Sequence, residues 1–359
     1  MRQIRVHRPG GHDRLQLDEL PTPEPGPGEV RIAVQAVGVQ YADCLVRMGL
    51  YKSSKDHVGW PVCPGLEVAG TVDALGEGVD DLAPGEPVLA VTRFGGYATH
   101  VVVPRPQVFR RPESLSVEQA ATFPTIFLTA YYSLLLMAHP QGGEHMLVHS
   151  AAGGVGGALV QLGKVSGCRV TGVVGGPHKV ETARNFGADA VIDKSSQDLW
   201  EEAERLAPDR FDLVFDANGI ETLEESFRHL ASPGKLVIYG FHTMLDKGRD
   251  RPRWWKLLWN WWKTPRFDPL KMTNRNKSVL AFNLSYQFDR LAMLQKVMAD
   301  LFTWLEEGKI TPPPVTSYAF EDAARAHEAL ESGRTVGKLV LEVTETPPEA
   351  IPGRVIDEG

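Results

Sequence analysis

Cysteine is scarce in this chain, and its scarcity excludes a good deal. Only Cys44, Cys63 and Cys168 occur among 359 residues, far apart and with no CxxC pair. That set offers neither a disulfide framework nor a zinc ribbon, and it fits free thiols in a reducing compartment. The 11 histidines are scattered without metal-ligand spacing. Positive charge is not in excess either. The formal net charge is −7, which repels phosphate backbones, so nucleic acid is not an expected partner. No uninterrupted apolar run approaches the ~20 residues of a spanning helix. The first residues carry Arg2, Arg5 and Arg8 with no apolar stretch among them, so no signal peptide is expected, and the expected location is cytoplasmic.

What is present suits two packed domains. A 43% hydrophobic content over this length fills full cores. Pro21–Gly28 (PTPEPGPG) reads as a stiff connection. Glu29–Val39, Gly65–Leu75 and Glu86–Thr92 read as strands separated by Gly, Pro and Asp turns, which suggests a compact β-rich, barrel-like unit. After Pro124 the pattern changes. Thr129–Met137 is an apolar helix candidate. Strands are then expected at His145–His149, Arg169–Val174, Ala190–Asp193, Phe211–Asp216, Lys235–Gly240 and Ser278–Phe282. Helices are expected between them at Gly157–Val165, His178–Phe186, Ser196–Leu206 and Glu221–Leu230. Six alternating units imply an α/β fold with a parallel, doubly wound sheet. Two further helices (Arg290–Glu307 and Glu321–Glu331) and a closing strand (Lys338–Val343) follow, and the Pro/Glu-rich 344–359 tail is expected to be disordered.

The segment Ser150–Gly157 reads SAAGGVGG, directly after a predicted strand and before a predicted helix. In that setting Ala152, Gly153, Gly154, Val155 and Gly156 make a phosphate-binding turn. Gly153 lets the backbone approach a pyrophosphate, Gly156 lets helix pack on strand, and the helix N-terminus supplies free N–H groups. Ala151 stands where the first glycine of the usual pattern would be, so a merely tight turn is the competing reading. At the end of the next strand an NAD site wants a carboxylate. Here Gly175 and Gly176 are followed by Pro177, His178 and Lys179, and Lys194 ends the third strand. No acid is placed to repel a 2′-phosphate, and Lys179 and Lys194 can pair with one, which favours NADPH over two merely solvated lysines.

With these residues in hand, the chain up to about Val343 resembles the medium-chain dehydrogenase/reductase superfamily, and within it the ζ-crystallin-like quinone oxidoreductases and the vesicle amine transport protein homologues. The motifs are GVQYADCLVRMGLY (Gly38–Tyr51), PGLEVAG (Pro64–Gly70), FPTIFLTAYYSL (Phe123–Leu134), AAGGVG (Ala151–Gly156) and VGKLVL (Val336–Leu341). FDPLKMTNRNKSVLAFNLSY (Phe267–Tyr286) is what resembles the vesicle-transport group. The resemblance implies a GroES-like catalytic domain over 1–124, a dinucleotide-binding domain with a six-stranded sheet over 125–283, and a return to the catalytic domain over 284–343. It also implies a homodimer. Zinc-dependent relatives carry a cysteine and a histidine where this chain has Gln40 and Leu66. Leucine has no donor atom, so no zinc is expected. Simple alcohol oxidation is then disfavoured, and the expected substrate is a quinone or an activated carbon–carbon double bond, whose own carbonyl accepts developing charge.

The same resemblance assigns candidate roles. Tyr51 matches the tyrosine that enoyl reductases of this fold are thought to use as proton donor, although a stacking wall of the substrate pocket explains it equally well. Gln40 replaces the family's asparagine and keeps an amide for nicotinamide ribose or substrate. Tyr41 is either core or pocket. Thr129, Asn218, Phe241, Phe282 and Asn283 would meet the cofactor. Lys338 matches a G-K lysine, with a surface lysine on an edge strand at least as good a reading. Asp43 is expected to tie down its own loop, and Glu67 to be structural.

One stretch stands apart. Around residues 245–272, Trp254, Trp255, Trp259, Trp261 and Trp262 are interleaved with Arg251, Arg253, Lys256, Lys263 and Arg266. A lid or dimer-flanking helix with buried indoles is the favoured reading, and an interfacial membrane helix the other. The second supports an alternative function: a membrane- or lipid-associated NADPH-binding protein with little turnover. A pathway-specific enoyl reductase is a third.

Overall fold

The computed structural model describes residues 1–242, 251 and 253–344. The first half is built on antiparallel strands. Strands β1 (Arg2–Arg5) and β2 (Gln16–Glu19) form a small ribbon. The long β3 (Glu29–Val39) precedes two short helices, α1 (Tyr41–Arg47) and α2 (Lys52–His57). Strands β4 (Glu67–Leu75), β5 (Pro87–Val91), β6 (His100–Pro104) and β7 (Val108–Arg110) follow, then the short helix α3 (Val117–Ala120). β3 alternates inward and outward residues, with Val30, Ile32 and Val34 buried, as a half-buried strand must.

Helix α4 (Pro124–Tyr131) is buried on every side and continues as a π-helical turn over Tyr132–Ala138. The expected helix at Thr129–Met137 therefore begins five residues earlier, with Pro124 at its first position, where a missing N–H costs nothing. The whole stretch Val117–Ala138 is long and apolar enough to cross a membrane, yet 72% of its most apolar window is buried inside the fold. It is the central core helix, packed between its neighbours rather than exposed to lipid.

The second half alternates: β8 (His145–His149), α5 (Gly154–Val165), β9 (Arg169–Val174), α6 (Val180–Asn185), β10 (Ala190–Asp193), α7 (Leu199–Leu206), β11 (Phe211–Asp216), α8 (Leu223–Arg228), β12 (Leu230–Ile238). Helices α9 (Trp254–Lys263) and α10 (Pro269–Arg275) intervene before β13 (Lys277–Ala281). These six strands pair in parallel in the order β10-β9-β8-β11-β12-β13. The order reverses between β8 and β11, the position where ligands of doubly wound sheets bind. The chain then returns through α11 (Leu291–Glu306), β14 (Val315–Ala319), α12 (Ala323–Glu331) and β15 (Lys338–Glu342). Strands β14 and β15 complete a seven-stranded sheet in which β15 lies between β14 and β3. Together these make a GroES-like unit joined to a Rossmann-type sheet.

Two sequence expectations need correction here. Asp43, expected to tie down a loop, lies in α1, which occupies the middle of the Gly38–Tyr51 segment. Gln40 and Asp43 cap that helix reciprocally, Gln40 N donating to Asp43 Oδ2 at 2.8 Å. Lys338 is not a surface lysine on an edge strand. It is 5% exposed on an interior strand. The expected disorder of the tail falls on 345–359, outside the described residues.

Candidate functional site

A cleft of about 1210 Å³ runs between the two sheets. Its floor is the turn after β8. Gly153 caps α5 and Gly154 begins it. A methyl group on Gly156 would sit 2.1 Å from the Ser150 carbonyl oxygen, so only glycine lets α5 pack this closely on the strand end. At Gly154 a methyl would meet Lys338 Cδ at 2.8 Å and Ile126 Cγ2 at 2.9 Å. Gly153, Gly154, Val155 and Gly156, the start of α5, line the cleft, with glycine at three of the four positions. That arrangement fits a pyrophosphate, because the N-terminal amides and the helix dipole both favour an anion. The turn is covered by the segment before β15, whose Gly337 N–H donates to the Ala152 carbonyl at 3.0 Å.

Beyond the turn the wall passes the ends of β9 and β10. Gly175, Lys179 and Lys194 line it there, and no carboxylate follows β9. Lys179 Nζ donates to the Gly333 carbonyl at 2.6 Å, which holds the ammonium at the rim. A dinucleotide's ribose end would meet two cations there, with no acid among Gly175–Lys179 at the end of β9. Across the switch point, Asn218 and Phe241 stand at the ends of β11 and β12. Asp216 Oδ1 fixes the β11 turn, accepting from Asn218 N at 2.8 Å and Gly219 N at 3.1 Å.

The other end of the cleft is built by α1, the start of α2 and the β13 exit. Tyr51 Oη donates to Asn283 Oδ1 at 2.8 Å, and Ser285 Oγ also donates to that oxygen, at 2.8 Å. Burial pushes the Tyr51 phenol above its ordinary range, so it stays protonated near neutrality. Tyr41 forms the opposite wall, its ring 4.3 Å from that of His242 and its hydroxyl 3.4 Å from the His242 carbonyl.

Under this end lies a buried polar network. Glu67 is fully buried and accepts from Gln40 Nε2, and from Thr125 N at 2.8 Å. Lys338 Nζ pairs with Glu67 at 3.3 Å and donates to the Val39 carbonyl at 2.7 Å. Burial pulls the Lys338 ammonium down, opposed by Glu67. Asp43 accepts from Gly65 N at 2.9 Å as well as from Gln40 N, and burial raises its carboxyl to about 6 against those bonds. Charges this deep persist only when paired and hydrogen-bonded. The network fixes the Gln40 amide and, through Thr125, the head of α4, where Thr129 Oγ1 donates to the Thr125 carbonyl at 2.7 Å.

The residues expected to bind cofactor or substrate or to act in catalysis all line one cleft: Gln40, Tyr41, Tyr51, Thr129, Ala152–Gly156, Gly175, Lys179, Lys194, Asn218, Phe241, Phe282, Asn283 and Lys338. Sequence reasoning missed Ser285, which shares Asn283 with Tyr51, and Thr335 and Gly337, which close over the phosphate turn. It left Glu67 as structural without seeing what it holds. Ser285 and Gly337 lie inside the quoted motifs, but their parts in the site depend on Tyr51 and Ala152, which are distant in sequence.

Helix α9 stands at the mouth. Trp254, Lys256, Leu257, Leu258 and Trp261 line the cleft there. The expected burial of the indoles is not found. Trp254, Trp255, Trp259, Trp261 and Trp262 are 52–68% exposed.

Among the described residues one trio of metal-type side chains clusters: Cys44, His327 and Glu331, with ligand atoms within 4.8 Å of one another. Glu331 is already neutralised by Arg47 at 2.6 Å and bonded to His12 at 2.9 Å. A guanidinium at that distance opposes a second cation, so the trio reads as a buried ion pair with its packing neighbours.

Comparison with known proteins agrees with this geometry. Residues 26–113 match the alcohol dehydrogenase GroES-like domain, and residues 186–341 match a family described as zinc-binding dehydrogenase. The chain is 33% identical to the human synaptic vesicle membrane protein VAT-1 homolog over 92% of this chain and 84% of that protein. Among solved structures, Escherichia coli quinone oxidoreductase complexed with NADPH superposes with a TM-score of 0.82 at 27% identity, covering 96% of this chain and all of the other. The CurK enoyl reductase gives a TM-score of 0.81 at 25% identity, covering 95% and 98%.

Proposed function

The chain belongs to the medium-chain dehydrogenase/reductase superfamily, in the quinone-oxidoreductase branch beside the VAT-1 homologues, and we propose that it is an NADPH-dependent reductase of quinones or α,β-unsaturated carbonyls. The observation that carries the proposal is one continuous cleft: a glycine-rich phosphate turn at the switch point, two lysines with no acid at the end of β9, and a protonated phenol at the far end. NADPH supplies a hydride when bound.

The protein's own part is binding, orientation and proton supply. The α5 amides and Gly156 hold the pyrophosphate, while Lys179 and Lys194 select the 2′-phosphate. Asn218, Phe241, Phe282, Thr129 and Lys338 frame the nicotinamide half. Gln40, fixed by Glu67, offers its amide to ribose or substrate. Tyr51 donates its hydroxyl proton to Asn283 until an acceptor carbonyl takes that bond. The carbonyl then gains a donor where negative charge develops. Tyr41 and the apolar α9 face exclude water from a flat substrate. This reading needs no zinc, because Leu66 and Gln40 occupy the positions where zinc-dependent relatives have ligands. We further propose a cytoplasmic enzyme, in keeping with three buried free thiols, and a homodimer formed on β13, the outer strand of the parallel sheet.

A second reading keeps the NADPH site but little turnover, in a membrane-associated protein. The exposed indoles of α9 favour it, and so does the printed name of the VAT-1 relatives. Oxidation of NADPH and NADH against an ortho-quinone, a para-quinone, an alkenal and a simple ketone separates the two. Reduction of a quinone or alkenal with NADPH, and none of the ketone, supports the reductase. Tight NADPH binding without turnover of any acceptor overturns it.

A further inference from the structure

The Tyr51 hydroxyl shares its acceptor with a second hydroxyl. Asn283 Oδ1 accepts from three donors: Tyr51 Oη at 2.8 Å, Ser285 Oγ at 2.8 Å and Ser285 N at 3.0 Å. An amide oxygen carries two lone pairs, so three donors crowd it and one can leave without stranding it. The bond from Ser285 N also caps the short helical turn Leu284–Gln287. That bond fixes which way the amide faces, because a flipped Asn283 would set its NH₂ group against the backbone N–H. Asn283 therefore offers Tyr51 an acceptor and no donor.

This arrangement suits the phenol and fails the phenolate. Once Tyr51 gives up its proton, its oxygen is anionic and faces a carbonyl oxygen. A buried anion needs a donor. Among the described residues, the one other hydrogen-bonding partner of Tyr51 Oη is Ser285 Oγ, at 3.4 Å. Ser285 is 2% exposed and lines the cleft. A serine hydroxyl rotates to suit its partner, so its proton can turn from Asn283 to the phenolate with little movement of heavy atoms. The surroundings hold the pair in place. Phe94 meets the Tyr51 ring edge-on at 6.1 Å. On the outside, Tyr286 Oη donates to Asp56 Oδ2 at 2.7 Å, which ties the Leu284–Gln287 turn to α2, directly after Tyr51.

We propose that Ser285 is a positioning residue for enone reduction: its hydroxyl turns from Asn283 to Tyr51 Oη as Tyr51 loses its proton, and it stabilises the phenolate until that proton is replaced. The inference rests on the reductase reading with Tyr51 as proton donor. In that reaction the acceptor's β-carbon takes one hydride, with both electrons, from C4 of the nicotinamide, which is left oxidised. The carbonyl oxygen takes the Tyr51 proton, giving an enol that relaxes to the saturated carbonyl. The phenolate regains its proton from solvent after the product leaves. Burial pushes the Tyr51 phenol up, and the bond with Ser285 is the foremost influence against that rise, as a donor to the anion should be.

The test is steady-state reduction of an alkenal with saturating NADPH, in H₂O and in D₂O, by the full chain carrying Ser285→Ala, Tyr51→Phe or both. Ser285→Ala keeps the backbone N–H that caps the turn, and thermal melts confirm that it folds. It lowers kcat about 3- to 10-fold. KM and NADPH affinity stay within about twofold, and the solvent deuterium effect grows because the proton step has slowed. In the Tyr51→Phe background, adding Ser285→Ala changes kcat by less than about twofold, since the hydroxyl it serves is gone. An unchanged kcat in Ser285→Ala overturns the proposal, and so does a loss of equal size in both backgrounds, which marks a purely structural role. Tyr51→Phe without a loss of enone turnover removes the donor, and wild type without turnover of any acceptor removes the reductase reading. Either result takes this inference with it.

Discussion

Replacing Gly156 by alanine tests the phosphate cradle at its tightest point. The added methyl would lie 2.1 Å from the Ser150 carbonyl oxygen and 2.7 Å from its carbonyl carbon. Both atoms are backbone, so no side chain can swing aside. The first turn of α5 must move off the strand end by about 1 Å, an overpacking that costs roughly 1–3 kcal/mol of stability. The same shift withdraws the α5 amides from an anion. Losing one charge-assisted bond of about 1.5–3 kcal/mol weakens NADPH binding by roughly 10- to 100-fold. Gly154→Ala is the intermediate case, since its contacts are the flexible Lys338 side chain and one Ile126 methyl. Gly142→Ala is the control, because nothing lies within 4 Å of its added carbon. Thermal melts and nicotinamide fluorescence titrations on the three variants should rank them Gly156, Gly154, Gly142 in both measures. A Gly156→Ala protein that melts and binds NADPH like the Gly142→Ala control would refute the cradle.

Other expectations follow from the same cleft. Tyr51→Phe should lower enone turnover by at least ~10-fold with little change in NADPH affinity; unchanged kinetics would remove the proton-donor role. Lys179→Glu with Lys194→Glu should cut NADPH affinity by roughly 10- to 100-fold while leaving NADH within about threefold, a split readable by titration with both cofactors. Asp43 ionises near pH 6 when folded and near ~3.9 when unfolded. The folded state therefore holds the extra proton between those values, and this group's contribution to stability falls as pH rises through that window and is level above it. Melting curves should show that fall in wild type and a smaller one in Asp43→Asn.

Much of the fold was legible because short β-branched runs bounded by turn residues have one good solution. The strands Glu29–Val39, His145–His149, Arg169–Val174, Ala190–Asp193 and Phe211–Asp216 lie where the pattern puts them. The strand expected from Lys235 starts at Leu230 instead, since Pro233 and Gly234 discouraged an earlier start while the parallel partner β11 carries it. Helix α1 was hidden by its cap. Gln40 and Asp43 reverse the usual order of short capping residue and longer partner, and seven residues give little periodicity. The site was legible wherever backbone chemistry demands a residue type, as at Gly153 and Gly156. It was not legible at Lys338, whose burial depends on Glu67 across the sheet, nor at α9. There an aromatic helix looks the same in sequence whether its indoles face the core or the outside.

The most direct test of the reductase account is a single turnover. The protein is loaded with one equivalent of NADPH and mixed with the best quinone or enone from the acceptor panel, and nicotinamide absorbance is followed, with C4-deuterated cofactor in a parallel run. The account predicts oxidation of one NADPH per chain, slowed by deuterium, with one acceptor reduced for each cofactor consumed. Cofactor that stays bound and reduced in the presence of the acceptor would contradict it.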